Sequence, residues 1–156
     1  MPSPPSTEQV TFRVARADDV PRMAELMAAA HLPPLFIEEH LPGFIAGDRA
    51  GELIACGGIE MYEDCAVIRS VVIHESGRGL GLGGKLADML MTNARNAGAT
   101  DFYLFTADAL PFWQRYDFAE ITFEEWKDAP RACWQYQFLS QNRDVVPDVH
   151  TMWRKA

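Results

Sequence analysis

Residues 71–85 read VVIHESGRGLGLGGK, and this stretch decides the fold. An apolar strand pattern ends at Ile73, and a helical pattern begins near Leu82. Five of the 11 glycines lie at this junction, within residues 77–84. Glycine allows unusual backbone angles and lets another group approach closely. Because the first turn of a helix also presents unpaired N–H groups and a positive dipole end, the segment predicts a cradle for an anion such as a diphosphate.

Strands and helices alternate on both sides of this loop. Residues 44–49, 52–62 and 65–73 follow one another with short turns, which predicts an antiparallel meander. The order predicts an α/β (α+β) domain with a mixed, largely antiparallel central sheet flanked by helices. Further strands are predicted at residues 10–15, 101–106, 118–122 and 149–154. Helices are predicted at residues 19–30 (with Asp18 as N-cap), 35–40, 82–97, 107–115 and 128–139.

Length and composition predict a single domain. The chain has 156 residues, of which 48% are hydrophobic. This is enough to bury a core without disulfides or metals. Residues 10–156 are assigned to the domain, and the Pro-rich residues 1–9 are predicted to be a flexible tail.

Charge and cysteine usage exclude several classes. The net charge of −8 argues against nucleic-acid binding and against adhesion to anionic membranes. No apolar run approaches about 18 residues, and the N-terminus lacks the pattern of a signal peptide. The three cysteines show no ligand spacing, so we expect no metal and a reducing, cytoplasmic setting.

Two other phosphate-binding patterns overlap the loop. A Walker A loop matches the spacing of residues 79–85, but Leu86 stands where a hydroxyl residue should bind magnesium. The dinucleotide fingerprint Gly-x-Gly-x-x-Gly also fits, although no strand–helix–strand unit surrounds it. A nucleotide-binding domain therefore remains an alternative, as does a glycine turn with no ligand.

The loop resembles a family signature. Arg78-x-x-Gly81-x-Gly83 is similar to the Arg/Gln-x-x-Gly-x-Gly/Ala motif of the GCN5-related N-acetyltransferases, over roughly residues 10–122. The resemblance implies acetyl-CoA bound where the fourth and fifth strands splay apart. It implies a pantetheine arm along the fourth strand and a pyrophosphate on the loop's N–H groups. The implied cofactor contacts are Val71, Val72, Ile73, Arg78, Gly79, Leu80, Gly81, Leu82, Gly83, Gly84 and Thr106.

A narrower resemblance lies before the loop. The pattern Gly58-Ile-Glu60-x-Tyr62, continuing to Arg69-Ser70, is similar to the arsenic-resistance N-acetyltransferase group and to amino-acid acetyltransferases. One departure concerns the acid that protonates the leaving thiolate. Trp113 stands at the position of the family's usual tyrosine, and Tyr116 follows three residues later.

Three residues are candidates for the chemistry. Glu60 is the candidate base for the acceptor amine, with a solvated strand carboxylate as the alternative. Arg69 lies among apolar residues, where a charge needs a partner. It is expected to bind a substrate carboxylate or to pair with Glu60. Tyr116 is the candidate acid, with simple packing as the alternative.

The resemblance and the residues together predict an acetyl-CoA-dependent N-acetyltransferase that acts on the amine of a small molecule, such as an amino acid. A non-catalytic acyl-CoA sensor on the same fold is the main alternative, and a protein N-acetyltransferase is another. A homodimer is the default assembly for such a domain.

Overall fold

The computed structural model describes residues 9–156. The predicted flexible tail, residues 1–9, lies outside the described residues except for Gln9. Four helices are present in the described part of the chain: α1 (Val20–Ala29), α2 (Leu82–Asn96), α3 (Leu110–Gln114) and α4 (Trp134–Gln141). The strands there are β1 (Thr11–Val14), β2 (Phe44–Arg49), β3 (Glu52–Tyr62), β4 (Cys65–Ile73), β5 (Asp101–Thr106), β6 (Ala119–Ile121) and β7 (His150–Lys155).

The strands form one mixed sheet in the order β1-β2-β3-β4-β5-β7-β6. β4 pairs with β5 in parallel. The pairs β1–β2, β2–β3, β5–β7 and β6–β7 are antiparallel. The predicted fold class, a largely antiparallel sheet with helices, is therefore confirmed. Four strand predictions, at residues 44–49, 52–62, 65–73 and 101–106, are correct to the residue.

The described residues divide into two compact units. The first unit contains residues 9–58 and Ser70–Leu90. Its core is made by α1, β2 and the first part of β3, with Phe44, Met23 and Met27 fully buried. The ring of Phe44 lies where a Cβ on Gly58 would stand, at 2.7 Å, so only glycine lets this ring cross β3.

The second unit contains Ile59–Arg69 and Met91–Ala156. One sheet face of this unit carries an aromatic cluster around Tyr103, whose ring lies 4.5 Å from that of Trp126. Asp101 lies beside this cluster and accepts hydrogen bonds from Trp153 and Lys127. Burial raises the pKa of Asp101, but these bonds outweigh it and the net shift is downward.

The pairing of β4 and β5 ends before the strands do. The paired residues run from Cys65 and Asp101 to Ile68 and Leu104. β4 nevertheless continues to Ile73, and β5 to Thr106. Ser70, just past the last pair, has a φ of 59°, which a strand residue does not normally adopt. The predicted separation of the fourth and fifth strands is confirmed.

Three predicted helices differ from the structure. Residues 35–40 were predicted to be helical, but a 3₁₀ turn occupies Glu38–Gly43, because Pro42 cannot continue a regular helix. α3 begins only at Leu110, since the hydroxyl of Thr106 accepts from the Ala109 N–H and holds a turn. α4 begins at Trp134, because Cys133 is extended, with ψ of 147°.

The predicted N-cap at Asp18 is wrong, and Asp19 stabilises this turn instead. The Asp19 carboxylate accepts from the Arg16 N–H at 2.6 Å. It also pairs with both terminal nitrogens of Arg13, at 2.6 and 2.8 Å. The hydrogen bond from Arg13 is the main cause that lowers the pKa of Asp19 to about 2. Asp18 is exposed.

We expect Asp19→Asn to destabilise the protein at pH 7 by about 2 kcal/mol. The folded-state pKa of Asp19 lies below its unfolded value. Its contribution is therefore present above about pH 4 and is lost as the pH falls through about 2. Urea unfolding between pH 7 and 3 measures the difference in the free energy of unfolding between wild type and variant. This difference should become smaller toward pH 3. Asp18→Asn is the control. A difference in unfolding free energy that stays constant with pH would contradict the lowered pKa of Asp19.

Candidate functional site

The glycine-rich loop presents bare backbone at the start of α2. Gly79 and Gly81 have φ values of 80° and 72°. A Cβ built on either residue would meet no atom within 4 Å. Gly83 and Gly84 continue into the first turn of α2, where N–H groups have no helical acceptor. The loop thus offers open space beside unpaired donors at the positive end of a helix.

The loop is anchored from both sides within the first unit. The N–H of His74 donates to the carbonyl of Ile54 at 2.7 Å, which ties the end of β4 to β3. Gly77 is buried, and a Cβ there would stand 3.1 Å from Ile54 and from Leu82. The exposed segment therefore begins only after this tight packing, at Arg78.

The predicted cofactor residues of β4 lie next to this loop in sequence. Val72 is buried and belongs to the core of the first unit. Val71 and Ile73, on either side of it, are half-buried. These two residues are therefore closer to solvent than those in the paired part of β4. Among the predicted loop residues, Arg78 and Leu80 have exposed side chains.

Lys85, which follows the last glycine of the loop, contacts β1. Its ammonium nitrogen lies 5.7 Å from the centre of the Phe12 ring, in a cation–π contact with β1. The positive character of the loop consequently comes from backbone N–H groups and from Arg78.

Glu60 and Arg69 form a buried ion pair in the second unit. Nη1 of Arg69 donates to Oε2 of Glu60 at 2.9 Å, and both side chains are 1% exposed. The hydroxyl of Tyr62 donates to the other oxygen, Oε1. Burial, followed by this bond to Glu60, raises the pKa of Tyr62 above its usual range. The ion pair considered from the sequence is therefore present, and Glu60 is not a solvated strand carboxylate.

Two residues of the C-terminal part lie against this ion pair. The guanidinium carbon of Arg69 lies 6.0 Å from the centre of the Trp134 ring. Cys133 is fully buried, and burial raises the pKa of its thiol to about 12. The negative charge of Glu60 adds to this increase.

The remaining predicted residues lie elsewhere in the second unit. Thr106 is buried and holds the turn before α3. Tyr116 was expected to lie on a helix with Trp113, but α3 ends at Gln114 and Tyr116 lies in the following turn. Its ring still lies close to α3, 5.2 Å from that of Phe112 and 6.5 Å from that of Trp113.

Sequence reasoning missed Tyr62, Cys133 and Trp134 as neighbours of the ion pair. Tyr62 was identifiable, because residues two apart on a strand share one face and Tyr62 follows Glu60 at that spacing. Cys133 and Trp134 are more than 60 positions from Arg69 in sequence, and no local pattern connects them. Only the folded chain brings them to this face.

The Acetyltransferase (GNAT) family model matches residues 11–118, which is more than two thirds of the chain. The chain belongs to the GNAT family. The glycine loop and both residues of the ion pair lie inside the matched range. Trp134 and Cys133 lie outside it.

One curated relative was found at clear similarity. Over 94 residues, the chain is 35% identical to the [citrate [pro-3S]-lyase] ligase of Escherichia coli strain K12. The match covers 60% of this chain and 25% of the ligase. The GNAT chain therefore spans only about a quarter of that relative.

Solved structures share the fold. The N-acetylglutamate synthase of Neisseria gonorrhoeae, complexed with coenzyme A and N-acetyl-glutamate, matches with a TM-score of 0.79 at 19% identity. The match covers 94% of this chain and 35% of the synthase. The Rv2747 protein of Mycobacterium tuberculosis, solved with CoA, matches at 0.76 and 22% identity, over 94% of this chain and 99% of its own. Identities this low show the fold alone.

The described residues contain no candidate for a membrane span or for a metal site. Among residues 9–156, no helix has the length and apolar character that a membrane span needs. In the same part of the chain, no three His, Cys, Asp or Glu side chains are grouped so that they could hold a metal ion.

Removing one partner of a buried ion pair leaves an uncompensated charge, so we expect Arg69→Met to cost about 3–5 kcal/mol of stability. The double variant Arg69→Met, Glu60→Gln should lose less unfolding free energy than the sum of the two single losses, by at least about 1 kcal/mol. Urea unfolding of the four proteins measures this coupling. Arg143→Met, which breaks an exposed pair with Glu124, should cost less than about 1 kcal/mol. Strict additivity would show that the two buried charges do not depend on each other.

Proposed function

We propose that this chain is an acetyl-CoA-dependent N-acetyltransferase that transfers an acetyl group to the amine of a small molecule. The single observation that carries the proposal is the loop at the start of α2. There, two glycines with positive φ open onto empty space beside unpaired N–H groups. Membership of the GNAT family gives this anion cradle its proposed ligand.

The cofactor would lie along the end of β4 and over the loop. The N–H groups of Gly79–Gly84 suit the two phosphates of a pyrophosphate, and Arg78 adds a mobile positive charge. Val71 and Ile73, beyond the paired part of β4, would offer main-chain groups to the pantetheine arm. The hydroxyl of Thr106, which accepts from Ala109, can still donate its hydrogen to the ligand.

The acceptor is proposed to be an amino acid or a related amine that carries a carboxylate. Arg69 supports this class, because a guanidinium binds a carboxylate through two parallel hydrogen bonds. The net charge of −8 adds weak support for a small acceptor over a basic protein tail. The fold shared with N-acetylglutamate synthase agrees with this class.

The chain's residues would then divide the chemistry between them. Acetyl-CoA supplies a thioester whose carbonyl carbon is open to direct attack by the amine. Glu60 takes the proton released as the C–N bond forms, and a main-chain N–H near Val72 stabilises the oxyanion. Tyr116 returns a proton to the thiolate as the C–S bond breaks. Glu60 already accepts two hydrogen bonds, but a carboxylate has about four lone-pair sites.

A non-catalytic acyl-CoA sensor is the second candidate. Trp113 favours it, because an indole N–H cannot protonate a thiolate as a phenol does. Its ring is buried and packs edge-on to Phe118, as a core residue does. We further propose a cytoplasmic location and a homodimer. All three cysteines are free thiols, which agrees with a reducing compartment.

The function is tested by calorimetry with acetyl-CoA, CoA and ATP, followed by a thiol-release assay over a panel of amines. We expect acetyl-CoA to bind, ATP not to bind, and thiol release to depend on a small amine with a carboxylate. Tight CoA binding without turnover on any amine would favour the sensor. Binding of ATP but not acetyl-CoA would overturn both candidates.

We expect Gly81→Val to weaken acetyl-CoA binding at least about tenfold, because its side chain would fill the open space over the loop. Gly51→Val is the matched control. Gly51 has a φ of 79° and also faces open space, but it lies in the turn between β2 and β3. Both variants carry the same backbone strain, so calorimetry separates strain from blocked binding. Equal affinities of the two variants would argue against the cradle.

We expect Glu60→Gln to lower kcat by about 100-fold or more, since a positioned base contributes roughly 10²–10⁴-fold. The affinity for acetyl-CoA should stay within about twofold. Glu63→Gln, in the exposed turn between β3 and β4, is the control. Steady-state kinetics and calorimetry measure both quantities, and an unchanged kcat would remove Glu60 from the mechanism.

A further inference from the structure

We propose that Trp134 is a positioning residue for the acceptor and fixes the plane of the Arg69 guanidinium that receives the acceptor's carboxylate. This inference rests on the proposed function. It adds a residue outside the range matched by the GNAT model, so it concerns what this chain adds to its family.

The first step concerns how Arg69 is held. Glu60 fixes one edge of the guanidinium through Nη1, at 2.9 Å. The guanidinium carbon lies over the Trp134 ring, 6.0 Å from the ring centre. The ion pair holds the direction of the side chain, and in this proposal the ring holds its plane. A two-bond contact with a carboxylate requires both, because the paired groups must be coplanar.

The second step concerns the segment that carries Trp134, residues 123–141, which we call the C-terminal cover. Its parts are bonded to one another. Arg131 donates to the carbonyls of Trp126 and Glu124, at 2.7 and 2.9 Å. The hydroxyl of Tyr136 donates to the carbonyl of Phe123 at 3.0 Å. These bonds make the cover a firm support for the first residue of α4.

The third step concerns the residue just before Trp134. Cys133 caps α4, because its sulfur accepts from the N–H of Tyr136 at 3.4 Å. The same thiol is fully buried. The cover therefore contacts the ion pair through Trp134, the residue that follows this cap. Trp134 is half-buried, unlike the fully buried Trp126, so it is the tryptophan of the cover that retains a solvent-facing side.

Trp134 should therefore affect only the binding of acceptors that carry a carboxylate. Loss of the Trp134 ring frees the plane of Arg69 and admits water to it, which weakens a carboxylate contact. An amine without a carboxylate makes no such contact and should be indifferent to the change. The side chain of Phe138, one turn further along α4, is 50% exposed and offers a control on the same helix.

The experiment compares wild type with Trp134→Ala, Trp134→Phe and Phe138→Ala. Each protein is assayed with an α-amino acid and with the same amine lacking the carboxylate. We expect Trp134→Ala to raise the KM of the amino acid at least about tenfold, with kcat and the KM of acetyl-CoA within about threefold. The KM of the plain amine should not change. Trp134→Phe keeps an aromatic ring, so its KM for the amino acid should stay close to that of wild type. Phe138→Ala should behave as wild type.

A second readout does not need turnover. Native thiol labelling, read by mass spectrometry, should show Cys133 reacting at least about tenfold faster in Trp134→Ala. Cys56 and Cys65, which are buried elsewhere, should be unchanged and serve as internal controls. An unchanged labelling rate of Cys133 in this folded variant would show that the Trp134 ring does not shield this part of the site, and would overturn its positioning role.

The outcomes separate this inference from the proposed function. Absence of turnover by wild type with every amine would refute the proposed function. Calorimetry of the amino acid in the presence of CoA would then still compare wild type with Trp134→Ala. Equal affinity of these two proteins, no binding to wild type, or an equal KM increase for both acceptors would overturn the positioning role.

Discussion

Two opposite charges inside the second unit constrain everything around them. A buried carboxylate or guanidinium is strongly unfavourable unless its charge is balanced and its hydrogen-bonding groups are satisfied. Glu60 and Arg69 balance their charges by pairing on neighbouring strands. The hydroxyl of Tyr62 donates to the second carboxylate oxygen, and the guanidinium lies beside the Trp134 ring. Replacing such a pair by apolar residues of similar volume is often neutral or stabilising, so the pair is weak evidence for added stability.

The first unit differs from the second, because its glycine loop exposes polar backbone groups instead of burying them. The chain is acidic overall, yet its proposed ligand carries phosphates. Backbone N–H groups at the start of α2 attract an anion without adding any net charge. This explains why Lys85 can lie on Phe12 instead of over the loop. The total charge therefore says little about which cofactor is bound.

Much of the fold was predictable because its signals are local. The strands from Phe44 to Ile73 follow from alternating apolar residues and short turns, and their bounds were correct to the residue. The loop was predictable because glycines at this density between a strand and a helix have few other uses. Helix bounds failed where one side chain redirected the main chain. Examples are the hydroxyl of Thr106 and the extended Cys133.

The candidate site was predictable only in part, for the same reason. Glu60 and Arg69 lie nine positions apart across one tight turn, so their pairing could be considered from sequence spacing. The C-terminal cover could not be placed, since aromatic residues in positions 123–141 favour core packing but also fit a dimer contact or an acceptor wall. What decides between these is a set of long-range contacts, such as that of Trp134 with Arg69, which have no counterpart in local periodicity.

The candidate acid, Tyr116, lies in a turn rather than on a helix. Asp117 adopts a φ of 66°, and the N–H of Phe118 donates back to the carbonyl of Trp113 at 3.1 Å. Arg154 donates to the carbonyl of Tyr116 at 2.9 Å. The turn is thus fixed from both ends, and the phenol of Tyr116 has a defined place although it has left the helix. Because Trp113 is buried in the core, the phenol of Tyr116, three residues later, is the proposed proton donor to the thiolate.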